Sequence, residues 1–62
     1  MKPLTAPQTA LLARVRAEGE VRLNGRARRT VEALEAAGLV TYEYDLQPSA
    51  GAWTELFIVR PA

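Results

Sequence analysis

Arg26, Arg28 and Arg29 fall within four consecutive positions, with Arg22 and Asn24 just before them. A guanidinium is a rigid fork of donors that stays charged at any physiological pH and fits a phosphate or the edge of a guanine in a bidentate manner. Three such groups beside one another are the chain's clearest chemical feature, and the chemistry they suit is polyanion binding. Little else here could react. Histidine and cysteine are both absent, which removes the commonest general base, the thiolate nucleophile and the commonest metal ligands. The seven carboxylates have no Gly-rich phosphate loop beside them, and Ser49 and the threonines have no evident base. We expect no enzymatic activity, no metal and no cofactor.

The element that must position these arginines is the stretch Asn24–Leu39. Asn24 suits an N-cap, because its side-chain oxygen can accept a first-turn N–H. Gly38 suits the left-handed position that ends many helices, and Leu39 can fold back on the last turn. Between them Ala27, Val31, Leu34 and Gly38 recur at helical spacing on one face, which the pattern assigns to a core. Arg29, Ala33 and Ala36 take the opposite face, flanked by Arg26 and Glu32. The charge order is inverted. Arginines open the helix and Glu32 and Glu35 follow, whereas the macrodipole favours acids first by about 0.3–1 kcal/mol per charge. The Arg28–Glu32 pair also has the weaker i,i+4 orientation. An external polyanion at the helix start would offset this. A purely solvated basic turn is the alternative.

The 62 residues make a single domain with a thin core. Thr5-Ala6-Pro7-Gln8 matches a capping box, with Pro7 in the first turn. It predicts a helix over about Ala6–Glu18 with Leu11, Leu12 and Val15 inward and a stop at Gly19, after a loosely held Met1–Leu4. Glu20-Val21-Arg22-Leu23 alternates like a short half-buried strand. Leu39–Leu46 and Trp53–Arg60 are rich in β-branched and aromatic residues, with turn chemistry over Gln47–Ala52. They predict a hairpin with a loop of about six residues, ended by Pro61. No apolar run approaches the roughly 20 residues of a membrane span, and a cytoplasmic protein is expected. The abundance of Ala, Arg, Gly and Pro would suit a GC-rich bacterial or phage genome.

Charge is distributed unevenly. Residues 14–29 hold six arginines against Glu18 and Glu20, a net of +4, and residues 30–62 hold five acids against Arg60, a net of −4. Either one face is positive, or the halves neutralise each other across the fold or a dimer. The hairpin strands are apolar on both sides. A hairpin on two helices hides one side, so Tyr42, Tyr44, Trp53 and Phe57 are candidates for a partner surface, with a homodimer the simplest form.

Helix, short strand, helix ending in Gly38-Leu39-Val40, then hairpin: this α+β order resembles a small winged helix domain, the winged form of helix-turn-helix. The sharpest match is Arg29–Val40, which is similar to the recognition helix and first wing strand of small MarR-like bacterial regulators. Leu4-Thr5-x-Pro7 resembles their opening. The resemblance implies a transcriptional or phage regulator that lays residues 25–37 in the major groove of duplex DNA. Arg26 and Arg29 would then reach base edges or nearby phosphates, Arg28 and Arg22 the backbone, and Asn24 would lie at the same surface. Two features depart from the pattern. Residues 19–25 are too few for the usual second helix, and Glu43, Asp45 and Glu55 make the wing acidic. The alternative function is a protein-interaction module that uses the apolar hairpin without touching DNA.

Overall fold

A computed structural model describes residues 3–62; Met1 and Lys2, half of the expected loose start, lie outside the described residues. The first helix, α1, spans Ala6–Glu18. Its capping box is formed: the Gln8 N–H donates to Thr5 Oγ1 (3.4 Å), and the Thr5 N–H donates to Gln8 Oε1 (3.1 Å). Gly19 ends it at φ 78° and donates its N–H to the Val15 carbonyl, a left-handed closure that favours glycine. Leu4 is half-buried and packs against the core, so the start is tied down from that residue on.

The segment that follows departs from a single helix over Asn24–Leu39. Strand β1 (Val21–Asn24) runs straight into a one-turn 3-10 helix, Gly25–Ala27, and only then does α2 begin, spanning Arg28–Ala36. Asn24 does cap, but it caps the 3-10 turn, its Oδ1 accepting the Arg26 N–H at 2.9 Å. Three residues thus stand where a helix-turn-helix would place a full helix. The physical reason is length: the path from Gly19 to Arg28 is used by a strand, and one tight turn is all that remains.

The hairpin is also longer than its loop-rich sequence suggests. β2 (Val40–Ser49) and β3 (Ala52–Pro61) are joined by Ala50-Gly51 alone. Both turn residues have positive φ, 48° and 81°, the geometry whose twist matches that of the flanking strands. Gln47-Pro48-Ser49 continues β2 rather than forming a loop, because a register with Gln47 opposite Thr54 and Pro48 opposite Trp53 extends the pairing to the turn. Pro48 lies on an edge strand, where its missing N–H breaks no ladder bond.

All three strands form one antiparallel sheet in the order β1-β3-β2. The last strand is therefore central, with Val21 opposite Val59 on one side and Tyr42 opposite Val59 on the other. One face of the sheet receives both helices. The core comprises Leu11, Leu12 and Val15 of α1, Val31 and Leu34 of α2, and Val21, Val40, Phe57 and Val59 of the sheet. Alternation places Glu43, Asp45, Ile58 and Arg60 on the other face. No helix among the described residues is long and apolar enough to cross a membrane.

Burial separates two leucines of equal chemistry. Leu34 is fully buried and Leu46 is 46% exposed. Leu34→Ala should lower unfolding free energy by about 2–5 kcal/mol in urea titrations, most of the stability of so small a domain. Leu46→Ala should change it by less than about 0.5 kcal/mol in the monomer. Equal losses would contradict the assigned core.

Candidate nucleic-acid interface and the wing

The five residues read as a DNA-contacting set are not equivalent in space. Arg22 leaves the outer face of the sheet and pairs loosely with Glu20, at 3.7 Å. Asn24 spends its side-chain oxygen on the 3-10 turn. Arg26 lies in that turn and Arg29 in the first turn of α2. Both are exposed, and neither has an ion-pair partner among the described residues.

Arg28 is different. It does not pair with Glu32, one helical turn on, but with Glu55 of β3. Its guanidinium lies 5.7 Å from the Tyr44 ring centre and 5.8 Å from that of Phe57, within cation–π range. The Tyr44 hydroxyl donates to the same Glu55 oxygen at 3.1 Å. Gly25 completes the arrangement: a β-carbon there would come within 2.8 Å of Glu55 Oε1 and 3.4 Å of the Glu55 Cβ, so a larger residue would push the acid from its place against the turn. Glu55 thereby brings a negative charge to the arginine-rich start of α2. The inverted charge order is partly offset from within the chain, by a residue 27 positions downstream. Sequence inspection misses this because nothing local links Arg28 to Glu55; only the hairpin register turns that acid toward the helix.

Among the aromatic residues read as partner anchors, Phe57 is 1% exposed and belongs to the core, so it is no surface anchor. It looked exposed because both faces of β3 are apolar, and central placement in the sheet explains why. Tyr42 is half-buried and lies tilted against Phe57, ring centres 5.4 Å apart, while Tyr44 meets Phe57 edge-on at 5.3 Å. Tyr44 and Trp53 are exposed, at 48% and 68%, and Leu46 joins them. Arg28 and Glu32 of α2 face Tyr42 and Tyr44 across an open cleft of about 290 Å³ floored by Phe57. No arginine or lysine occurs between Val40 and Val59. On the outer face Arg60 holds Glu20 (2.8 Å) and Glu43 (3.2 Å). No cluster of three or more metal-binding side chains occurs among the described residues.

Compared with known proteins, the chain matches no family model, no curated sequence and no solved structure.

Partial burial, followed by the hydrogen bond to Glu55 and that carboxylate's charge, raises the Tyr44 phenol above its ordinary 10.0; Arg28 opposes the shift. The proton is held more tightly in the folded state, so this contribution to stability is complete below pH 10 and fades as pH climbs through the raised value. Glu55→Gln removes the charge and should bring the Tyr44 titration down, read by NMR of the ring. Because both members of the pair are partly exposed, the variant should lose no more than about 1 kcal/mol in urea unfolding. A Tyr44 titration unmoved by the substitution would show that the contact does not persist in solution.

Proposed function

We propose that the chain is a small winged-helix DNA-binding protein, a transcriptional or phage regulator that meets duplex DNA with the 3-10 turn and first turns of α2. The observation that carries this is the division of labour among three adjacent arginines. Arg28 braces the hairpin, and Arg26 and Arg29 of the same turns are exposed and without an ion-pair partner among the described residues. An α-helix about 10–12 Å across fits a major groove about 12 Å wide. Ala33 and Ala36 keep the outer face of α2 low enough for close approach. The element order of helix, short strand, helix and hairpin supports the resemblance to a winged helix, with the 3-10 turn where its second helix would stand.

In this reading the wing does not grip phosphates. Asp45, Glu43 and Glu55 would repel them, and the one base on the hairpin, Arg60, already holds Glu20 and Glu43. Arg26 and Arg29 supply the contacts, with Arg22 able to release Glu20 for the backbone. Two or three guanidinium contacts give modest affinity, so sequence selectivity would need two protomers or a second factor.

A second reading has its own observation. Tyr44, Leu46 and Trp53 remain exposed on one side of the hairpin, as a protein-interaction module requires. The two readings differ in salt response. Binding to mixed-sequence duplex DNA should weaken steeply with added salt. Changing Arg26 and Arg29 together to alanine should cost roughly tenfold or more in affinity and flatten the log–log salt slope by about 2. Equal affinity and slope for the double variant would remove α2 from any DNA surface and leave the interaction reading.

A further inference from the structure

Alternation along the hairpin does not stop where the helices stop. On the helix-facing side, Tyr42 opposite Val59 and Tyr44 opposite Phe57 are followed by Leu46 opposite Glu55 and Pro48 opposite Trp53. On the reverse side the distal part of the hairpin carries Asp45, Gln47, Ser49 and Thr54, and nearer the helices Leu56 and Ile58 are half-buried opposite Asp45 and Glu43. Towards the turn the reverse face is therefore mostly polar, and the apolar strip lies on the helix-facing side. Yet no described element of the chain reaches Leu46, Pro48 or Trp53, and Trp53 is 68% exposed.

We infer that a second copy of this chain covers the distal helix-side face of the wing, strip against strip about a two-fold axis, with Tyr44, Leu46, Pro48 and Trp53 at its centre. Three observations select this occupant and this geometry. The first is charge. The acid on the strip, Glu55, is neutralised by Arg28, so two copies can meet there without like charges opposed. The reverse face would set Asp45 and Glu43 against their own copies. The second is the strand edge. On β2 the Leu46 N–H already donates to its neighbour's Asp45 Oδ1 at 2.9 Å, and Pro48 has no N–H, so extension of the sheet from the β2 edge is disfavoured over the distal half. Face-to-face packing of the apolar strip needs neither strand edge. The third is area. The surface of 4509 Å² exceeds the roughly 4,000 Å² of a compact monomer of this mass by about 500 Å². Hiding that excess on both protomers buries about 1,000 Å², the lower bound for a specific interface. The contact does not depend on the DNA reading, since Arg26 and Arg29 take no part in it.

Trp53 is the chain's single tryptophan, so its fluorescence reports the strip alone. Across a concentration series, sedimentation equilibrium should show the mass doubling. In step with it, Trp53 emission should move to shorter wavelength and lose access to acrylamide, with little effect of salt. Leu46→Glu should hold the protein monomeric with unchanged circular dichroism, as should Trp53→Ser when followed by mass alone. Thr54→Glu, on the reverse face, should dimerise like the parent. A monomer at millimolar concentration overturns the inference. So does a dimer in which Trp53 stays open to quencher, which would place the contact elsewhere.

Discussion

Glu55 links the two halves of this small molecule. From the central strand its carboxylate reaches the first residue of α2, rests on the backbone at Gly25 and accepts the Tyr44 hydroxyl. Each contact alone is a partly exposed polar interaction worth little. Together they fix the angle between helix and hairpin, because the partners come from the 3-10 turn, α2 and β2 at once. They also place a negative charge where the first turn of α2 has no acid of its own. The arginine cluster is thereby divided. Its middle member is engaged by the hairpin acid, and its neighbours have no ion-pair partner among the described residues.

The hairpin carries the second constraint. Ten-residue strands span about 33 Å, far more than two short helices can cover. The radius of gyration of 12.1 Å accordingly exceeds the roughly 10.5 Å of a compact chain this long. A protruding apolar hairpin invites uncontrolled strand pairing. Asp45 and Pro48 occupy the outer edge of β2 at the positions where the helices no longer shield it, which disfavours strand addition there.

How much of this could be read beforehand depended on how local the cause was. The α1 capping box, the Gly19 stop, the inward Val31 and Leu34 and the two apolar strands follow from signals a few residues apart. Most departures have distant causes. Asn24 reads as the cap of a long helix because composition cannot distinguish a 3-10 turn from the first turn of an α-helix. Pro48 and Ser49 read as loop because their residue types favour turns, but cross-strand register overrode that preference. Phe57 looked like a surface anchor until its strand proved to be the middle of three. Arg28 looked equivalent to Arg26 and Arg29, and only its partner 27 residues away distinguishes it.

Sheet order has a consequence for how the chain reaches this state. β1 and β2 never touch as a pair; each bonds only to β3. A nascent chain that has emerged as far as Gly51 holds both outer strands, both helices and the arginine cluster, but has nothing to dock them on. Closure joins Val21 to Val59 across most of the sequence, and such long-range pairing is slow relative to helix formation. Neither outer strand has a strand partner until residues 52–61 arrive, so the sheet closes only with that segment.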